Sequence, residues 1–235
     1  MKKKSEFSAL PNRPLGVLVK LKKFLNYLLD FVFPKFCLGC QQEGSFCCQK
    51  CLDELQILPP EPNPWPEQKN SFEACYVCLN YQNKLIEKII KNYKYKYLEN
   101  LSDYLVEILA KQFNNLNLKD ELIITNVPLN KAKKKQRGFD QTEILAKKLA
   151  IKLNYQYQPL LIRHKKTKTQ AKLSKIAREE NLKNAFSPIN PSLKINSPVL
   201  LIDDIATTGA TLNSATKIIK ELGAEKVICL VLAKN

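Results

Sequence analysis

No run of about 18 apolar residues occurs in this 235-residue chain, so no segment reads as a transmembrane helix. Met1 and the three lysines behind it have the charge of a secretory leader. Lys20, Lys22 and Lys23 interrupt the apolar stretch that follows, however, and no small-residue cleavage site comes after it. Histidine occurs once, at His164, inside a strongly basic segment. There it is a poor metal ligand with no partner for general-base work, and it is assigned no catalytic role. These absences point to the cytoplasm, where the eight cysteines are expected as metal ligands and core residues rather than as disulfides. Negative charge is scarce too: 38 Lys and Arg against 22 Asp and Glu leave +16. Such a balance implies an acidic partner, whether a polyphosphate ligand, nucleic acid or a membrane surface.

The richest stretch is 199–211, VLLIDDIATTGAT. Val199, Leu200, Leu201 and Ile202 form a short apolar run with no polar face, which predicts a buried strand closed by Asp203 and Asp204. Ala206, Thr207, Thr208, Gly209, Ala210 and Thr211 then make a loop of small and hydroxyl residues, with a helical pattern from Leu212. A strand ending in such a loop ahead of a helix predicts a phosphate site. The first N–H groups of a helix lack internal partners, the macrodipole is positive there, and short side chains admit an anion. Gly209 can take a positive φ where the loop turns. The two carboxylates would repel a phosphate, so they are expected to face hydroxyls that donate to them. A ribose with its 5′-phosphate held in the loop satisfies both requirements.

Residues 1–14 read as a basic arm, and 15–33 as an amphipathic helix ended by Pro34, packing on the domain behind it in preference to a membrane surface. Cys37 and Cys40, then Cys48 and Cys51, are two C-x2-C pairs seven residues apart. Together they read as a closed, structural four-thiolate zinc site, with Gly39 and Gly44 allowing the sharp turns. Cys47 is taken as a bystander. Residues 58–70 carry five prolines and are expected as an extended linker between domains at 1–58 and 71–235. Cys75 and Cys78 lie in a strand-like run, 72–81, and are read as strand cysteines in preference to a second metal site.

Helices are expected across 84–113, interrupted by KNYKYKY at 91–97. Two readings of that run stay open: tyrosines stacking bases among phosphate-neutralising lysines, or an amphipathic turn whose tyrosines pack on the core. A second buried strand, 122–127, delivers a mobile basic loop with Lys131, Lys133, Lys134, Lys135 and Arg137. Its helix opens at Gln141 or Thr142, and Arg137 offers bidentate geometry for an anion. A third strand is expected at 157–162, followed by further anion candidates Arg163, Gln170 and Arg178. The helix behind the central loop is capped by Gly223, and 227–232 is a last buried strand holding Cys229. Strand, helix, strand in that order predicts a parallel α/β sheet. With three residues left, any lid is expected from the N-terminal half.

The order of features resembles the ComF family, which includes GntX-like proteins. FPKFCLGC, the CQKC pair, the lysine–tyrosine stretch, VPLNKAKKKQRGFDQ, the Gln170, Arg178, Asn181 and Phe186 spacing, and VLLIDDIATTGAT carry the resemblance. It implies a small N-terminal zinc-binding domain and a core similar to type I phosphoribosyltransferases. It implies structural Zn2+ at Cys37, Cys40, Cys48 and Cys51. It also implies 5-phosphoribosyl 1-pyrophosphate (PRPP), as its Mg2+ complex, at Asp203, Asp204 and 206–211. The family is associated with DNA uptake in natural competence, so single-stranded DNA and competence-machinery proteins are implied partners. The family usually has Asn where this chain has Asp140. Two functions follow: phosphoribosyl transfer with pyrophosphate release, or a non-catalytic module that senses PRPP or binds nucleic acid. No nucleobase-recognition element is identifiable.

Overall fold

The computed structural model describes residues 34–95, 101–118, 121–164 and 185–235. The arm and helix expected over 1–33, together with Gln170 and Arg178, lie outside the described residues. The chain divides into two compact units, Met1–Cys48 and Gln49–Asn235. In the first, the backbone reverses at two residues of positive φ, Gln41 (65°) and Gly44 (119°). Gly39 is not one of them. Gln41 is held in that conformation by its own side chain, whose Nε2 donates to the Cys37 carbonyl at 3.1 Å.

The second unit opens with a short helix, α1 (Gln49–Asp53), and is built on a five-stranded sheet. Its strands are β1 (Ala74–Asn80), β2 (Ile123–Asn126), β3 (Gln156–Tyr157), β6 (Val199–Ala206) and β7 (Val227–Lys234). Their spatial order is β1-β7-β6-β2-β3, and every pairing is parallel. A parallel sheet is covered on both faces, which is why the centre of β6 reads as an unbroken apolar run. Leu200, Leu201 and Ile202 are fully buried there. β6 also runs past the expected end, because β7 continues to pair with it through Asp203↔Val231, Ile205↔Ala233 and Ala206↔Lys234. Both aspartates therefore belong to the strand.

The helices are α2 (Lys84–Tyr95), α3 (Leu101–Asn115), α4 (Lys131–Arg137), α5 (Gln141–Leu153) and α6 (Ala210–Glu221). α3 and α5 pack on each other, and α6 packs against β6 and β7. Leu145, Ala146, Leu149 and Ala150 form the buried stripe of α5, as their spacing predicts. Residues 131–137 are α4, not a loop. Asn130 caps α4, its side chain accepting from the Lys133 N–H at 2.9 Å, and Gly138 ends it at φ 78°. Six lysine, arginine and alanine residues in seven suffice for a helix between those caps. The single strand expected at 157–162 is two. Pro159 lacks an N–H for a ladder, so β3 stays in the main sheet and β4 (Leu161–Arg163) pairs antiparallel with β5 (Phe186–Pro188).

Residues 58–70 form neither helix nor strand; they turn at 65–68, where the Gln68 N–H donates to the Trp65 carbonyl (3.1 Å), and their first part lies against the sheet. The Leu58 N–H donates to the Cys78 carbonyl (2.9 Å) and the Cys75 N–H to the Pro62 carbonyl (2.7 Å). Cys75 and Cys78 are buried strand residues, and Cys75 sits in register with Cys229 across β1 and β7. Among the described residues no helix is long and apolar enough to cross a membrane.

The connections of β2 and β6 diverge: β2 leads on to β3 on one side, β6 to β7 on the other. A parallel sheet opens a crevice at such a point, outside the carboxyl ends of the strands. The segments entering it are 127–140 and 207–209.

Candidate functional site

Successive residues of a strand leave on opposite faces. Asp203 therefore follows the face of Leu201, and Asp204 that of Ile202. Both side chains are buried. Asp204 is met by the Lys94 ammonium of α2 at 2.9 Å on Oδ1, in a pair whose side chains are 14% and 9% exposed. Gln141 Nε2, from the first position of α5, donates to Oδ2 at 3.0 Å. Burial alone would raise this carboxyl. The Lys94 charge, the Gln141 and Lys94 hydrogen bonds and the more distant Arg137 charge outweigh it, holding Asp204 below the usual carboxylate range. Asp203 has less help. Its Oδ1 accepts the Asp204 N–H at 2.8 Å. Burial and then the neighbouring Asp204 charge push it up to about 8, against the opposing pull of that N–H, Lys94 and Arg163. Of the two, Asp204 is thus favoured as the carboxylate and Asp203 as the holder of a proton.

Cations surround this pair. Lys133 is pushed below the usual lysine range by lost hydration, and then by the charges of Arg163, Arg137 and Lys94. Arg137 lies over the Tyr95 ring, its guanidinium 5.0 Å from the centroid. Arg163 ends β4 and sits over Phe186. Of the expected anion contacts, Arg137 and Arg163 thus both lie within electrostatic reach of the acidic pair. His164 has a partner after all: its Nε2 is hydrogen-bonded to the Ser187 hydroxyl.

The loop behind the pair is tight. Ala206 is the last strand residue, Thr207 and Thr208 are exposed, and Gly209 takes φ 70° before Ala210 opens α6 and Thr211 follows. No side chain caps α6, whereas Asn130 and Asp140 cap α4 and α5. Asp140 also accepts the Leu129 N–H on Oδ2 (2.8 Å), so both of its oxygens tie down the segment bearing α4. An Asn has only one such acceptor.

Three residues at the site were not anticipated. Lys94 carried a signal, because Ile86, Ile90 and Lys94 recur every four residues and share the buried stripe of α2. Gln141 was read only as a helix start. Trp65 donates from its indole nitrogen to the Thr207 carbonyl at 2.9 Å, across 142 residues of sequence, and nothing local announced it. The lysine–tyrosine run divides the two expectations: Tyr93 is buried and Tyr95 is 62% exposed.

In the cysteine-bearing N-terminal segment, the sulfurs of Cys37, Cys40, Cys48 and Cys51 all lie within 4.8 Å of one another. Cys37 and Cys40 approach Cys48 to 3.7 and 3.6 Å. A tetrahedral ion bound at about 2.3 Å needs sulfurs about 3.8 Å apart, so the set fits a four-thiolate metal ion. Burial opposes ionisation of Cys37, yet the backbone N–H groups of Cys48, Cys40 and Gly39 bring it down to about 6. Cys47 is pushed up to about 12 by burial and by its cysteine neighbours, and stands outside the cluster.

Residues 140–235 match the phosphoribosyl transferase domain. Competence protein F of Haemophilus influenzae is 31% identical over 84% of this chain and 90% of its own. Competence protein ComFC of Streptococcus pneumoniae is 30% identical over 78% of this chain and 79% of its own. The adenine phosphoribosyltransferase of Thermoanaerobacter pseudethanolicus superimposes with a TM-score of 0.37 at 16% identity, covering 63% of this chain and 84% of that one. The sheet, the 199–211 segment and the cysteine cluster define a phosphoribosyltransferase-like chain with a candidate metal site. It belongs to the competence protein F (ComF) family.

Asp203 keeps its proton in the fold up to about 8, whereas an unfolded aspartate releases it near 3.8. Its contribution to stability is complete below about pH 4 and is lost as pH rises through about 8. Asp203→Asn cannot titrate. In urea unfolding from pH 4 to 9, the variant should gain on the parent as pH rises, by at most about 1.4 kcal/mol per pH unit. A difference that stays flat across the range would mean that Asp203 is ionised throughout.

Proposed function

We propose that this chain binds PRPP at the end of β6, and that the bound ligand is set up for phosphoribosyl transfer. The observation carrying this reading is the buried Asp203/Asp204 pair placed directly ahead of the Gly209 turn and an uncapped helix N-terminus. The 5′-phosphate takes the unpartnered N–H groups of the loop and α6, with the Thr207, Thr208 and Thr211 hydroxyls as further donors. The ribose hydroxyls face the acidic pair. Asp204, kept ionised by Lys94, accepts from one; Asp203, which keeps a proton, can accept and donate. Lys133, Arg137 and Arg163 lie where the pyrophosphate, with its Mg2+, brings negative charge. In transfer the C1–O bond breaks, its electron pair leaves on pyrophosphate, and an acceptor nucleophile bonds to C1. Fixed cations and an oriented ribose are the help this step needs.

Calorimetry with PRPP tests the site. Asp204→Asn should weaken binding roughly ten- to a hundredfold, the scale of one charge-assisted hydrogen bond in a formed site. Equal affinity in parent and variant would sink the ribose assignment. Pyrophosphate release with added acceptors separates a transferase from a PRPP-binding module.

The cysteine cluster is proposed as a structural zinc site, supported by the four thiols and their spacing, which leave no open position for chemistry. Cys37→Ala should lower the metal content of purified protein from one equivalent to well under half, while Cys75→Ala should leave it unchanged. Loss of metal from the Cys75 variant would show the ligands to be misassigned.

A role in DNA handling is supported by the competence names of the two relatives and by α4, where Lys131, Lys134 and Lys135 are exposed. If α4 tracks single-stranded DNA, affinity falls by roughly 0.7 log units per log unit of salt for each phosphate neutralised. Replacing Lys133, Lys134 and Lys135 with alanine should flatten that dependence; an unchanged slope would take α4 out of any DNA contact.

A further inference from the structure

We propose that Trp65 is a positioning residue for the 207–209 turn, holding it in its anion-receiving shape before any ligand arrives. The inference rests on the phosphate-site reading of that turn. An indole N–H is a donor only, and a buried one requires an acceptor. Here the acceptor is the Thr207 carbonyl at 2.9 Å. In a trans peptide the following N–H points opposite the carbonyl. Pinning the Thr207 carbonyl toward the indole therefore turns its negative end away from the anion and aims the Thr208 N–H to the other side.

The ring also occupies the space that a side chain at position 209 would need. A Cβ built on Gly209 would stand 3.0 Å from Cε3 and Cζ3 of Trp65. The glycine thus serves two ends, supplying φ 70° and letting the indole come this close to the turn. Gly209→Val would collide with the indole, a cause distinct from any crowding of the phosphate.

Trp65 is itself held from behind. The Lys234 ammonium lies 5.5 Å from the ring centroid and donates to the Pro64 carbonyl at 2.6 Å. Asn63 accepts the Trp65 N–H and an Asn70 amide N–H, and Asn70 accepts from Asn213 in the first turns of α6. Prolines on both sides of Trp65 restrict the free chain, so little entropy is lost in fixing it.

Trp65→Phe in the full chain keeps an aromatic ring and removes the donor. Hydrogen exchange without ligand should speed up at amides 207–210 and stay unchanged in β6 and β7. Calorimetric affinity for ribose 5-phosphate should fall about three- to tenfold, the scale of one neutral hydrogen bond. Unchanged exchange at 207–210, or faster exchange across the whole sheet, would overturn the proposal. If the parent gives no heat with ribose 5-phosphate, the phosphate-site reading fails, and the exchange comparison still decides whether Trp65 holds the turn. The parent supplies a second measurement, since Trp65 is the only tryptophan of the chain. Its emission maximum should stay in place on saturation with ribose 5-phosphate, because the turn is already formed; a large shift would mean that the ligand reshapes the turn and would overturn the proposal.

Discussion

A carboxylate out of water has to be charged by arrangement, and Asp204 is the point where this molecule makes that arrangement. Taking an ion out of water costs several kcal/mol even after relaxation. Lys94 at 2.9 Å and Gln141 at 3.0 Å stand in for the lost water. They come from α2 and α5, so those two helices must be docked for Asp204 to stay ionised. The docking is apolar: Ile86, Ile89, Ile90 and Tyr93 bury one side of α2, and the Tyr93 hydroxyl reaches the Gln141 carbonyl at 2.8 Å. Core packing and site electrostatics are one construction.

The same pair sets the charge of the crevice. One carboxylate is paired to a lysine and the other holds a proton, so the pair contributes little negative charge to offset Lys133, Arg137 and Arg163. That surplus of positive charge is the electrostatic side of the PRPP reading proposed above.

How much of this was legible in the sequence depended on whether the cause was local. The strand at 199–202, the turn at Gly209 and the two C-x2-C pairs are set by neighbours in sequence, and reading them needs no tertiary information. The run 131–137 misled because its charge suggested a loop, while its caps, Asn130 and Gly138, stood outside it. β3 and β4 looked like one strand because their apolar pattern continues through Pro159. Lys94 was visible in the helical period of α2, though its partner is over a hundred residues away. Trp65 was beyond reach, since a lone aromatic among prolines gives no period and its partner is a backbone carbonyl.

The pairing of β1 has a bearing on synthesis. Among the described residues the strand that pairs with β1 is β7, about 150 positions later, and Trp65 binds Thr207 over nearly the same span. Contacts so distant in sequence are slow to form, because loop closure precedes any gain from them. On the ribosome, β1 emerges early and then waits for almost the whole chain. Through that interval it is an apolar segment with an open edge, the kind of segment that chaperones cover. The segment carrying Trp65 lies just ahead of it, and the indole's bond to the Thr207 carbonyl likewise waits until β6 and the turn behind it have been made.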